Sequence, residues 1–173
     1  MIGLQKLVMP LGFVLATGLA AIPAIAGDKA YTLNGSDLVP MPGAAVSRDR
    51  GTMIIHGWTG GQAVVHRPVH LDAADYAYAT ISLEGLAPAQ QARLAWKAQE
   101  DGVTTPVTAR LPWTGRGEVT IALPAAWRGS ISEIGLLVAG EPGMPLRVRH
   151  LTLHETSIST WLRTRRDDWL HFS

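Results

Sequence analysis

The sequence predicts an all-β chain: one antiparallel β-sandwich, preceded by a membrane-targeting helix and followed by a short helical tail. Three observations predict it. Short β-rich runs recur between residues 30 and 154, separated by Gly, Pro and Asp clusters, and eight or nine strands at that spacing indicate a sandwich or barrel. Strand–helix–strand alternation is missing, which argues against a parallel nucleotide-binding sheet. The first 26 residues carry a single charge, Lys6, ahead of an apolar run. The chain therefore divides into a targeting segment at 1–26, a sandwich at 27–155 and a tail at 156–173. With 173 residues it is long enough for one domain with its own core.

The targeting segment comes first. Lys6 precedes the uncharged stretch Leu7 to Ala26, a positive n-region followed by an apolar h-region, and Ala24-Ile25-Ala26 places small residues where a signal peptidase reads. Pro23 breaks a helix just before that site. The run is also about 20 residues long, enough to span a bilayer uncleaved. Two readings stay open, a cleaved signal and a signal anchor. The length favours the anchor, since an h-region takes about 7–15 residues. Both place the sandwich outside the cytoplasm, on the periplasmic side.

The strands follow in order: Ala30–Leu33, Thr52–His56, Gln62–Leu71, Ala77–Leu83, Ala92–Gln99, Val107–Leu111, Glu118–Leu123, Ile131–Val138 and Leu146–His154. Alternation assigns their faces. Leu94, Trp96 and Ala98 share one face and Lys97 points the other way, so Trp96 is expected in the core. The same logic turns Ile81 and Leu83, Val119 and Ile121, and Leu136 and Val138 inward. In Leu146–His154 the apolar set slips by one residue between Val148 and Leu151, which predicts a β-bulge near His150.

Residues 45 to 155 carry a more specific pattern. Leu71-Asp72-Ala73-Ala74-Asp75-Tyr76 introduces a strand, and Arg93-Leu94-Ala95-Trp96 begins the next one. Leu123-Pro124-Ala125-Ala126-Trp127-Arg128-Gly129 forms a corner before Ile134-Gly135-Leu136-Leu137-Val138 and the final strand. This resembles the galactose-binding-like jelly roll of carbohydrate-binding modules and envelope proteins. The resemblance implies a jelly-roll sandwich with Trp127 packed at its corner, and its motifs mark core and corners rather than a site. The acidic residue that often opens the final strand in such modules is replaced by Arg147 and Arg149, so a calcium or ligand role for it is not carried over.

Beyond Glu155 the pattern becomes helical. Ser157 to Phe172 places Ile158, Trp161, Leu162 and Trp169 on one side. Such a helix either lies at a membrane interface or leads to a further membrane segment, or it docks on the sandwich.

Composition excludes several chemistries. The chain has no cysteine, which removes disulfides, thiolate metal sites and cysteine nucleophiles. Without Lys6 it holds 14 basic and 14 acidic residues, a balance that gives no field for nucleic acid. A nucleophile elbow, a phosphate loop and a dinucleotide glycine pattern are all absent. His66 and His70, and likewise His150 and His154, are four apart; on a strand that is about 13 Å, too far for one zinc ion. Glu84, Glu100, Asp101 and Glu118 sit near strand ends, and nothing pairs two of them as a glycosidase requires. No catalytic residue, metal or cofactor is assigned.

Six tryptophans are the suggestive feature, because indole stacks on the apolar faces of sugars. Trp58 lies at a Gly-rich turn and Trp113 follows Pro112 in a loop. These two are the candidates to touch ligand, and as exposed loop residues they are expected to melt near wild type when truncated; loop-borne aromatics in a sandwich otherwise cap the open ends of the core. The leading functional expectation is a non-catalytic extracytoplasmic module linked to cell-envelope polysaccharide binding, assembly or export, with glycan as partner. The alternatives are a structural or protein-interaction domain of a multi-pass membrane protein, with membrane proteins as partners, and a glycoside-active enzyme.

Overall fold

The structure, a computed structural model, describes residues 30–112 and 117–155. The targeting segment at 1–26, the helical tail at 156–173 and Trp113 lie outside the described residues. Among the described residues no helix is long and apolar enough to cross a membrane.

Among the described residues eleven strands form two antiparallel sheets. They are β1 (Ala30–Asn34), β2 (Val39–Pro40), β3 (Ala44–Asp49), β4 (Thr52–Trp58), β5 (Gln62–Asp72), β6 (Tyr78–Glu84), β7 (Gln91–Glu100), β8 (Val103–Arg110), β9 (Glu118–Ala122), β10 (Ser130–Ala139) and β11 (Leu146–His154). The six-stranded sheet runs β3-β4-β11-β6-β9, with β1 also on β11; the five-stranded sheet runs β2-β5-β10-β7-β8. One flank of β11 is shared: β4 pairs Leu146–Val148, and β1 pairs the stretch from His150 to His154. Sequence neighbours β4 and β5 thus enter different sheets, as do β6 and β7, and β10 and β11.

The core lies between the sheets and is built by alternation. Ile81, Leu83, Leu94, Trp96, Leu136 and Val138 are all buried, and Val119 and Ile121 close the β9 edge. The expected bulge is present: β11 shifts register against β6 between Val148 and His150. It lets Val148 and Leu151 both face inward, each fully buried. The Trp127 corner is packed as the resemblance implies. Trp127 Nε1 donates to the Ala73 carbonyl at 3.0 Å, and Gly129 takes a φ of +71° where a Cβ would sit 2.6 Å from the Gln99 carbonyl oxygen.

Three departures from the expected strands share one cause. β2 and β3 were not foreseen, and β8 begins at Val103 rather than Val107. All three lie at sheet edges, where backbone pairing suffices and no apolar alternation is required. In β8, Pro106 reads as a strand breaker, yet an edge strand tolerates it.

Trp58 is corrected. It is not an exposed loop residue: it ends β4 and is 7% exposed. The register of β4 against β3 shifts at Ala45/Val46, which gives β4 one extra residue near His56. Trp58, rather than Gly57, therefore follows Met53 and Ile55 to the inside. Its Nε1 donates to the Gly140 carbonyl at 2.8 Å, which fixes the indole over the end of the core.

Candidate functional site

Each sheet has an outward face, and the two differ in access. On the six-stranded sheet, Thr32, Thr152, Thr80 and Thr120 stand in one cross-strand row. Thr32 and Thr152 hydroxyls bond at 3.1 Å, Thr80 and Thr120 at 2.9 Å, and His154 Nε2 lies 2.9 Å from Thr80 Oγ1. Tyr78, Thr80, Ser82 and Thr152 are buried although they point away from the core. The middle of this face is thus closed and its hydroxyls bond one another.

The five-stranded face is built differently. Register places its outward side chains in rows across the strands. One row runs Val64, Leu137, Arg93, Arg110; the next runs Val39, His66, Gly135, Ala95, Thr108; a third holds Glu133, Lys97 and Pro106. The middle row has no side chain at Gly135 and only a methyl at Ala95. It forms a trough crossing β10 and β7, bounded by the rows on either side. Rows on one face are two residues apart along each strand, so the bounding rows stand about 13 Å from each other.

Gly135 is required by the sheet itself. A Cβ there would collide with the Val65 carbonyl oxygen and come within 2.6 Å of His66 Cα. The close approach of β5 and β10 at this point keeps the trough floor bare.

One trough wall is mixed, with Val64 and Leu137 beside Arg93 and Arg110, and the other carries Glu133 and Lys97. Glu133 joins two neighbours: Lys97 Nζ lies 2.9 Å from Oε2, and His66 Nδ1 lies 3.3 Å from Oε1. Arg93 Nη1 donates to Thr108 Oγ1 at 3.1 Å. Toward β2, Val39 and Met41 are each 45% exposed, an apolar shoulder at the end of the trough. Past the bulge of β10, the face ends in an open recess lined by His70, Asp72 and Ser130. Such a surface can hold an extended ligand by hydrogen bonds and apolar contact. Rigid strands carry it, so its geometry is set before anything binds.

The residues singled out in the sequence are dispersed. Trp58 is in the core, and Trp113 lies outside the described residues. Glu84 pairs with Arg149 at 2.9 Å and Glu100 with Arg128 at 3.0 Å, and Glu118 lies 3.5 Å from His150 Nε2, so these three acids face separate partners rather than one another. Among the described residues no group of three or more His, Cys, Asp or Glu side chains could hold a metal ion. The residues that line the trough were not foreseen. The outward set Arg93, Ala95, Lys97 follows from alternation in β7. That Arg110 and Glu133 join it depends on register, which the sequence does not display.

No protein-family model matches this chain, and no curated protein sequence does. Solved structures do. The Clostridium thermocellum endo-1,4-β-D-xylanase 10B, in its CBM22-1 and GH10 modules complexed with xylohexaose, superposes with a TM-score of 0.50 at 9% identity, over 76% of this chain and 28% of that one. PfGH50B gives 0.50 at 11% identity, over 75% of this chain and 24% of that one. The low affinity xylan binding module CBM86 from Roseburia intestinalis gives 0.49 at 14% identity, over 74% of this chain and 96% of that one. The fold shared with these structures is a two-sheet antiparallel jelly-roll sandwich. At these identities the likeness is one of fold. Within this jelly roll, the open trough on the five-stranded sheet is the candidate site.

Proposed function

We propose that this chain is a non-catalytic glycan-binding module and that the trough over Gly135 and Ala95 is its binding face. The observation that carries the reading is the contrast between the two sheets: on one face hydrogen-bonded threonines fill the middle row, and on the other the middle row is reduced to Gly135 and Ala95 between rows that carry Arg93, Arg110, Lys97 and Glu133. The jelly-roll fold supports it. Lys97, Glu133, His66 and Thr108 supply donors and acceptors for hydroxyls, and Val39 supplies an apolar contact at one end. Trp113 stays the proposed sugar-stacking residue on its residue type alone, since indole stacks on the apolar faces of sugars. The apolar segment at 1–26 supports an extracytoplasmic, membrane-tethered setting, in which the module holds cell-envelope polysaccharide during its assembly or export.

Titrating the full chain, in mild detergent, against a panel of envelope and plant-wall polysaccharides tests the reading by calorimetry. Binding that disappears on Ala95→Trp, which fills the trough from an outward position, is the expected result. Silence across the panel from a cooperatively melting protein overturns it and leaves the sandwich as a spacer or docking domain.

A further inference from the structure

The trough wall contains an arrangement that folding does not explain. Arg93 on β7 and Arg110 on β8 are direct cross-strand partners, and both point away from the core. The Cβ atoms of such a pair stand about 4.5–5.5 Å apart, and like charges placed there destabilise a sheet. Neither arginine pairs with a carboxylate among the described residues. The partner that Arg93 does have, Thr108 Oγ1, is neutral. Lys97 in the third row is matched by Glu133, so the two guanidiniums are the unbalanced charge of this face. A local rule broken without compensation marks a functional position more often than a structural one.

We propose that Arg93 and Arg110 form an anion subsite and that the module takes an acidic polysaccharide, a polyuronate, rather than a neutral glycan. The inference rests on the glycan-binding reading and narrows it to a ligand class. Guanidinium presents a planar fork of donors that matches a carboxylate in bidentate fashion. A chain lying over Gly135 and Ala95 runs beside Arg93, so its carboxylates meet the pair at the trough wall. The ligand charge also relieves the repulsion between the two arginines, which a neutral sugar does not.

The test uses the full chain with polygalacturonate and with the same polymer fully methyl-esterified, which removes the carboxylate charge, at the cost of one added methyl per residue, and leaves the backbone the same. The acid form is expected to bind about tenfold tighter, with an affinity that falls as salt rises. Arg93→Gln combined with Arg110→Gln is expected to bring the acid form down to the level of the ester. Equal binding of the two forms, or acid binding that survives the double variant, overturns the anion subsite and leaves the glycan reading standing. No binding of either form, nor of the neutral panel above, overturns both. The comparison of acid with ester needs no variant, so it decides even if the double variant does not fold. As an independent readout, Arg93→Gln is expected to melt at or above wild type. A clear fall in melting temperature shows the pair to be structural and overturns the proposal.

Discussion

Trp96 and Trp127 meet edge to face across the interior, with ring centroids 5.6 Å apart and planes at 64°. Trp96 comes from the middle of β7 and Trp127 from the corner before β10, so the pair ties the five-stranded sheet to the turn that feeds it. Their polar handles are treated differently. Trp127 Nε1 donates to the Ala73 carbonyl, whereas Trp96 Nε1 is buried with no partner among the described residues.

That difference sets the first prediction. Truncating either indole to alanine removes a large buried ring and is expected to cost about 3–5 kcal/mol, much of the 5–15 kcal/mol typical of a domain. The phenylalanine variants should separate. Trp127→Phe deletes one hydrogen bond, worth about 1 kcal/mol, in addition to the lost volume. Trp96→Phe deletes a donor that bonds nothing. Denaturant midpoints are therefore expected to fall further for Trp127→Phe, and the reverse order would show that Trp96 Nε1 has a partner.

Trp58 carries the second. Its burial and its bond to Gly140 make it a stability residue, against the expectation drawn from its Gly-rich surroundings. Trp58→Ala is expected to cost about 3–5 kcal/mol. Thermal melting checks it, and a melting temperature near wild type would restore Trp58 as a surface residue.

The two halves of this result show what was legible in the sequence. Strands with one buried face announce themselves, because Leu94-Ala95-Trp96-Lys97 and Ile81-Ser82-Leu83 must alternate to fill the core. The bulge at His150 was legible for the same reason: Val148 and Leu151 are both apolar, and only an extra residue turns both inward. The bulge in β4 is the same device, but Gly57 has no side chain to reveal the slip, so Trp58 reads as a loop residue. The trough was the least legible part. Arg93 and Arg110 are 17 positions apart and become neighbours only through the register of the β7–β8 hairpin.

A third prediction concerns the trough floor. Gly135→Ala puts a methyl against the Val65 carbonyl and His66 Cα, both backbone atoms of the neighbouring strand, so neither can swing aside. The variant is expected to lose at least about 1–3 kcal/mol, as overpacked cores do, with loss of amide protection at Val65 and His66 in hydrogen exchange. Ala95→Ser, one strand over in the same row, changes the floor without meeting backbone and is expected to melt within about 0.5 kcal/mol of wild type. Equal melting of the two variants would show that β5 and β10 do not approach so closely.

Glu133 separates stability from recognition. It is the one carboxylate on the three trough rows; its ion-pair partner Lys97 is 45% exposed, while the His66 Nδ1 that faces it is buried. An ion pair at such a surface contributes about 0–1 kcal/mol. Glu133→Gln keeps the side-chain length and an oxygen acceptor for Lys97, so melting should change by less than about 1 kcal/mol. Binding should change more. Removing the negative charge leaves Lys97 unneutralised across the trough from Arg93, and a polyuronate lying between the rows then meets three unbalanced cations in place of two. The expected result is tighter binding of polygalacturonate and a steeper fall of affinity with salt, since each further cation engaged adds to the screened attraction. The fully esterified polymer should show neither change. Were Glu133→Gln instead to weaken both polymers alike, the role of Glu133 as a hydroxyl acceptor on the trough wall would outweigh its charge, and recognition there would rest on the sugar ring.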